Sequence, residues 1–314
     1  MNHCYRLVFN KSTQVWQVVS EIAKSHSKSV AVVLLPLLGL FSQSYAWAEP
    51  AGNALPTGGQ VVSGQSAITQ NGNQLNIVQG SQKSIINWQS YNIGSNAEVN
   101  YIQNNANAIS LNRVITGDPS AIFGKLNANG QVWLINPNGV LFGKGAQVNV
   151  GGLLASTLNI ADDDFLGGQY QFTGSNGSVI NLGAITASQG GYVAMLAPEV
   201  RNEGVISAMQ GTVALAAGNA ITLDFNGNGL INVQVDSASV NTLVENKHLI
   251  QVGGGQVLMS TKAADGLITS VINNSGKIEA NSMVNDGGVI RLTGAKTVIN
   301  SGDISATSSG KKGG

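Results

Sequence analysis

The feature that most limits how this chain can fold is an eight-residue phrase written four times in its second half. It reads Ile180-Asn-Leu-Gly-Ala-Ile-Thr-Ala187, Arg201-Asn-Glu-Gly-Val-Ile-Ser-Ala208, Asn273-Asn-Ser-Gly-Lys-Ile-Glu-Ala280 and Ile299-Asn-Ser-Gly-Asp-Ile-Ser-Ala306. The shared core is Asn-x-Gly-x-Ile-x-Ala. The asparagines fall at 181, 202, 274 and 300, so the first two copies lie 21 residues apart and the last two 26 apart. A degenerate copy, Glu245–Val252, lies between them, with His248 at the glycine position. Most copies lead through Gly into a second alternating strand, as in Gly191-Tyr-Val-Ala-Met-Leu and Gly211-Thr-Val-Ala-Leu. A period of this length with two or three short strands per repeat predicts a β-solenoid, in which each repeat is one coil stacked on the last. A sandwich does not repeat its side-chain pattern. The repeated Ile then points into a narrow core, and the Asn stacks coil on coil. The Gly is expected to supply a left-handed turn.

Composition agrees with this architecture. Glycine contributes 40 of 314 residues, aromatics only 5% and charged residues 10%. Short strand-like runs such as Gln74–Val78, Ser84–Trp88, Val99–Ile102 and Gln131–Ile135 alternate between Asn-Gly, Gly-Asn and Gly-Gly turns. No stretch after residue 48 shows a helical period. Residues 49–80 are expected to cap the open edge of the first coil, which would otherwise invite aggregation.

The first 48 residues have a different character. A mildly basic opening runs to Lys28, and an apolar run follows from Val30 to Phe41. Ala46-Trp47-Ala48 then provides a small-x-small cleavage pattern, so Met1–Ala48 reads as a signal peptide cut after Ala48. The apolar run is too short to span a bilayer, and Pro36 interrupts it. No stable membrane span is expected. The leader takes with it the single cysteine, Cys4, two of the three histidines, four of the 16 basic residues and one of the 16 acidic ones. The remaining 266 residues carry a net charge of −3, which offers no footprint for nucleic acid. They hold no thiol for a disulfide, metal site or nucleophile.

Residues 84–160 are less repetitive and more specific. They include Ile85-Ile-Asn-Trp-Gln-Ser-Tyr-Asn-Ile-Gly94, Ile109-Ser-Leu-Asn-Arg-Val-Ile-Thr-Gly117, Gly130-Gln-Val-Trp-Leu-Ile-Asn-Pro-Asn-Gly-Val-Leu-Phe-Gly143 and Leu154-Ala-Ser-Thr-Leu-Asn159. From about residue 55 onward the chain resembles the secretion domain of two-partner secretion exoproteins of the filamentous-haemagglutinin type. Its opening Met1–Lys28 resembles that family's extended signal peptide. The resemblance implies an all-β fold, a right-handed parallel β-helix with an N-terminal cap, over residues 81–310. It implies recognition by an outer-membrane β-barrel transporter, passage unfolded, and coil-by-coil folding at the cell surface. Residues 311–314 would then begin further repeats of a longer adhesin, whose host receptor or glycan lies beyond this chain.

Asn136-Pro137-Asn138-Gly139 matches the family's Asn-Pro-Asn-Gly motif. It reads as a turn after the strand Gln131–Ile135, and whether it touches the transporter or only shapes that turn stays open. The family's second motif has no counterpart, because the region expected to hold it reads Gln103-Asn-Asn-Ala-Asn-Ala-Ile109, without proline. This departure resembles the high-molecular-weight adhesin and haem-acquisition branches. Haem or haem-carrier capture is therefore one alternative, and a β-helix enzyme acting on polysaccharide is another.

For the enzyme, the only clustered acids are Asp162-Asp163-Asp164, either a solvated loop or a Ca²⁺ ligand set. A Ser-His-Asp triad would have to use His248, which is expected to sit exposed on a turn. No cofactor or metal site is read from the sequence, and no enzyme activity is expected. Trp88, Tyr91, Tyr101 and Trp133 are read as core or cap residues rather than a sugar platform. Asn176-Gly-Ser178 and Asn273-Asn-Ser275 fit the glycosylation pattern.

Overall fold

The computed structural model describes residues 5–10, 15–20, 47–174, 176–225, 231–237, 241–262, 269–282 and 288–309. The apolar run of the leader, Ala46 and residues 311–314 lie outside the described residues. The chain divides into two units, Met1–Ala46 and Trp47–Gly314. In the first, Tyr5–Asn10 and Val15–Ser20 form an antiparallel hairpin.

The second unit is a parallel β-helix with three faces. The first face stacks Gln74–Gln79, Glu98–Gln103, Lys125–Ala128, the starts of Gln147–Ser156 and Ala184–Ala197, then Val205–Ala208, Leu249–Gln251, Lys277–Glu279 and Asp303–Ser305. The second stacks Lys83–Trp88, Ile109–Val114, Gln131–Ile135, the ends of the same two long strands, Thr212–Ala217, Gln256–Thr261 and Val289–Thr293. The third is a seven-stranded sheet running from Ser120–Ile122 to Thr297–Asn300.

Alternation along each strand decides what enters the lumen. On the first face Ile185, Ile206, Ile250 and Ile278 stack in register, and all four are fully buried. Three are isoleucines of the repeated phrase and Ile250 belongs to the degenerate copy; the fourth phrase isoleucine, Ile304, stacks on Ile278 but is exposed. Valines fill the facing walls, among them Val132, Val193, Val213 and Val257 on the second face and Val179, Val200 and Val244 on the third.

The asparagines of the phrase also stack. Asn181 Nδ2 donates to Asn202 Oδ1 (2.8 Å), Asn202 to Asn246 (2.8 Å), Asn246 to Asn274 (2.7 Å) and Asn274 to Asn300 (2.7 Å). The degenerate copy contributes its rung through Asn246, and His248 is exposed.

The glycines differ from expectation. Gly183, Gly204, Gly276 and Gly302 are not in the left-handed region. Space, not φ, requires them: a Cβ on Gly204 would lie 2.2 Å from the Gly183 carbonyl oxygen, and one on Gly302 2.0 Å from that of Gly276. A second glycine column runs up the corner between the first and second faces. Cβ atoms on Gly191, Gly211, Gly255 and Gly288 would meet the carbonyl oxygens of Gly151, Gly191, Gly211 and Gly255 at 1.8–2.3 Å.

Two insertions break the period. Both leave from the corner between the second and third faces, at residues 157–177 and 218–240. They supply Tyr170–Thr173, Ala220–Phe225 and Ile231–Ser237, an antiparallel sheet outside the helix. This sheet covers the outer side of the second face, so its strands are buried on both sides. Within the first insertion Asp162–Gly167 forms a short helix rather than a loop. Three aspartates in the first turn suit the positive end of a helix dipole, and Gly168 (φ 80°) closes it.

At the N-terminal edge, Gln60–Ser63 pairs antiparallel with Lys83–Trp88, and Ser66–Asn71 with Gln74–Gln79. The segment expected as a cap, 49–80, thus holds two antiparallel strands plus Gln74–Gln79, which pairs in parallel with Glu98–Gln103 and so is already the first rung.

Candidate functional site

Asn136–Gly139 lies at the corner where the second face passes to the third, between Gln131–Ile135 and Val140–Phe142. The Gly139 N–H donates to the Asn136 carbonyl (3.0 Å), closing a β-turn with Pro137 and Asn138 at its tip. Proline suits the second position of such a turn, and Gly139 accepts φ 121°.

The side chains hold coils together. Asn136 is fully buried; its Nδ2 donates to the Asp118 carbonyl (2.9 Å) and Ser120 Oγ (2.9 Å) in the preceding coil. Its Oδ1 accepts the Asn138 N–H (3.0 Å), an Asx turn, and its own N–H donates to the Ser156 carbonyl in the following coil (2.9 Å). Asn138 Nδ2 donates to the Thr116 carbonyl (2.8 Å). Pro137 and Asn138 are exposed, whereas Gly139 is buried. Thr157 and Gly177, the two ends of the first insertion, pack beside this turn: a Cβ on Gly177 would lie 2.9 Å from both the Pro137 carbonyl and Thr157 Cγ2.

The neighbourhood without the second motif is an exposed turn, Asn104–Asn107, closed by the Asn107 N–H on Asn105 Oδ1 (2.9 Å). Beneath it Gln103 is buried. Its Nε2 donates to Gln79 Oε1 (3.0 Å) and the Ala108 carbonyl (2.9 Å), and its Oε1 accepts the Gly130 N–H (3.0 Å). An amide pair therefore ties the first two coils where later coils use bare glycine.

The aromatics are core, in two places. Trp88, Tyr91 and Tyr101 meet in the lumen around Asn112, whose Oδ1 accepts from Trp88 Nε1 (3.0 Å) and Tyr101 Oη (2.8 Å). Tyr101 gives its only proton to Asn112, so Tyr91 donates to Tyr101 (2.8 Å). Burial pushes the Tyr91 and Tyr101 hydroxyls well above the ordinary tyrosine value near 10. An unfolded chain ionises near that value while the folded one resists. Stability is therefore full below pH 10 and is expected to fall as pH rises beyond it, read by alkaline unfolding followed through tryptophan fluorescence. Tyr91→Phe should flatten that decline.

Trp133 belongs to the outer cluster instead. It packs on Phe165, Tyr170, Phe172 and Phe225 and donates Nε1 to Tyr192 Oη (2.6 Å). Lys83 closes this cluster, donating to the Phe165 carbonyl at the end of the short helix (2.7 Å) with its ammonium 5.3 Å from the Phe165 and Tyr170 ring centres. Neither Lys83 nor the outer sheet was legible in the sequence, since neither shares a pattern with the repeated phrase.

Of the candidate catalytic groups, Asp162 pairs with Arg113 (2.8 Å), and His248 stands apart on its turn. Among the described residues no three His, Cys, Asp or Glu side chains converge for a metal, and no helix is long and apolar enough to cross a membrane. Asn176 is exposed, whereas Asn273 is half-buried and donates to Glu245 Oε1 (2.9 Å).

A capped parallel β-helix whose corner turn is stapled to the coils on either side, preceded by an export leader, defines a secreted solenoid module. Residues 53–306 match the family described as the TPS secretion domain, TPS standing for two-partner secretion, and residues 1–43 match the Extended Signal Peptide of Type V secretion system. The chain belongs to the TPS secretion domain family. It is 34% identical over 257 residues to a heme/hemopexin-binding protein of Haemophilus influenzae, matching 78% of this chain and 28% of that protein. The chain therefore corresponds to under a third of that relative's length. Its fold is similar to the HMW1 secretion domain from Haemophilus influenzae, with a TM-score of 0.63 and 28% identity over 80% of this chain and 75% of that one. Leader and domain together route the chain through the periplasm to the cell surface or the medium.

Proposed function

We propose that an outer-membrane transporter recognises this domain as it emerges unfolded, and that Asn136–Gly139 serves secretion by closing a coil rather than by presenting a contact. One observation carries the second half: the Asn136 amide is buried and spends its donors and acceptor on Asp118, Ser120 and Asn138. The family match supports the first half. The domain should reach the medium only when a partner transporter is co-expressed; equal release without it overturns that half. Asn136→Ala should cost about 2 kcal/mol or more by orphaning buried polar groups, and lower release and stability together. Pro137→Asp, on the exposed tip, should leave release near normal. Release abolished by Pro137→Asp at unchanged stability would assign the tip to the transporter instead.

The likeness to a heme/hemopexin-binding protein supports a second reading, that the exoprotein headed by this domain captures a haem carrier. Hemopexin retained by the secreted full-length product, but not by this domain alone, is the expected result.

A further inference from the structure

Asparagine followed by glycine occurs four times among the described residues, at Asn71-Gly72, Asn129-Gly130, Asn138-Gly139 and Asn176-Gly177. Such a pair is chemically labile. The glycine nitrogen, with no Cβ beside it, can attack the asparagine side-chain carbonyl carbon and close a five-membered succinimide, provided that both groups are free to meet. Three of the pairs are held. Asn129 Oδ1 accepts the Gln103 N–H (2.7 Å), its Nδ2 donates to the Gln103 carbonyl (2.7 Å), and the Gly130 N–H donates to Gln103 Oε1 (3.0 Å). Asn138 Nδ2 donates to the Thr116 carbonyl (2.8 Å), and the Gly139 N–H to the Asn136 carbonyl (3.0 Å). Gly177 is packed so closely that a Cβ on it would lie 2.9 Å from the Pro137 carbonyl.

Asn71-Gly72 is not held. Ser66–Asn71 and Gln74–Gln79 form an antiparallel hairpin in which Asn71 faces Gln74, with Gly72 and Asn73 as its two-residue loop. Gly72 takes φ 55° and Asn73 has no positive φ, the glycine-first pattern of a type II′ turn. Asn71, Gly72 and Asn73 are all exposed, and nothing lies within 4 Å of a Cβ placed on Gly72. Neither the Asn71 amide nor the Gly72 N–H has a hydrogen-bond partner among the described residues.

We propose that Asn71 is a site of self-modification in the folded domain, converting to aspartate and isoaspartate, and that the isoaspartate form opens the N-terminal cap. The Gly72 nitrogen bonds to Asn71 Cγ, the Cγ–Nδ2 bond breaks, and ammonia leaves with the Gly72 proton. Water then opens the ring, giving its hydroxyl to one carbonyl carbon and a proton back to the nitrogen. Opening at Cγ yields aspartate. Opening at the main-chain carbonyl yields isoaspartate, whose backbone runs through Cβ and Cγ and is longer by one carbon. A two-residue loop cannot take up that atom and keep residue 71 opposite Gln74. Four of the six residues of Ser66–Asn71 are exposed, so little besides this pairing keeps the strand in place. Its departure would bare the edge of Gln74–Gln79, the first rung.

The test incubates the exported chain at neutral pH, folded and in denaturant, and follows conversion of each asparagine by peptide chromatography and mass spectrometry. In the folded chain Asn71 should convert several-fold faster than Asn129, Asn138 and Asn176, and in denaturant the four rates should converge. Equal rates in the folded chain overturn the proposal, and so does the same lead in denaturant, which would assign it to local sequence. Asn71→Gln keeps an exposed amide but would have to close a larger, slower-forming ring. Hydrogen exchange across Ser66–Asn71 and Gln74–Gln79 should rise with age in the parent chain and stay flat in this variant. A rise shared by both, or none in the parent once position 71 has converted, overturns the opening of the cap. None of these readings depends on what the transporter recognises.

Discussion

Gly211→Ala should destabilise the mature domain by at least about 3 kcal/mol, although it adds a single methyl group. The added Cβ would lie 1.8 Å from the Gly191 carbonyl oxygen, far inside contact distance. That oxygen belongs to the coil below and sits where the first face turns into the second. Neither side can yield locally. Moving Gly191 disturbs its own close approach to Gly151, where the corresponding Cβ would sit 2.0 Å from a carbonyl oxygen. Moving Gly211 pulls Thr212–Ala217 away from both Tyr192–Ala197 and Gln256–Thr261. Strain at one rung is thus passed to its neighbours. Gly117→Ala is the control, since nothing lies within 4 Å of its added methyl and its φ is not positive. That change should be neutral, or stabilising by about 0.5 kcal/mol through the unfolded chain. Chemical denaturation of the two exported variants measures the contrast. Equal midpoints would show that the glycine column is not closely packed.

The contrast also explains what the sequence revealed and what it concealed. The Asn and Ile of the repeated phrase were readable because each acts on its own equivalent in the next coil. Asn202 bonds Asn246 and Ile206 stacks on Ile250, so the fold demands the same letter again. The glycines were readable as positions but not as reasons. A bare α-carbon is needed equally for a left-handed turn and for a backbone pressed against another, and only coordinates separate Gly139 at φ 121° from Gly204 beneath its neighbour's carbonyl. The outer sheet was hidden for a different cause. Tyr170 with Leu223 joins the two insertions and Phe225 with Trp133 joins one of them to a coil, and the insertions share no pattern with each other or with the coils. The helix at Asp162–Gly167 is too short to show a period. The corner at Asn136–Gly139 was legible as a turn, whereas its staples to Thr116, Asp118 and Ser156 are contacts across coils of unequal length.

The second large effect concerns the direction of the asparagine ladder. Every rung donates toward the C-terminal side: Asn181 to Asn202, Asn202 to Asn246, Asn246 to Asn274. Backbone groups fix that orientation. Asn181 Oδ1 accepts the Gly183 N–H (3.1 Å), while Asn246 Nδ2 lies 3.3 Å from the His248 carbonyl and Asn274 Nδ2 3.4 Å from that of Gly276. Each completed coil therefore offers a buried donor that only the next coil can accept, so an arriving coil is selected for an acceptor at one position. Asn202→Ala removes an acceptor from Asn181 and a donor from Asn246, both fully buried, and should cost about 3 kcal/mol. Asn300→Ala removes only an acceptor, from Asn274, at a position that is itself exposed, and should cost less than Asn202→Ala.

Asn202→Asp is the sharper variant. It keeps the acceptor for Asn181 but, when ionised, turns an oxygen toward Asn246 Oδ1. The damage should fall on the C-terminal side, with hydrogen exchange accelerating across Asn241–Asn246 and Thr269–Asn274 while Ser178–Asn181 keeps its protection. Burial raises the pKa of the introduced carboxyl above its unfolded value near 4, and once protonated it can donate to Asn246 again. The variant's stability should therefore be best preserved below pH 4 and lost as pH rises through the raised folded value, measured as the difference from the parent chain at each pH. A deficit independent of pH, or exchange spread evenly on both sides of residue 202, would show that the ladder has no working direction.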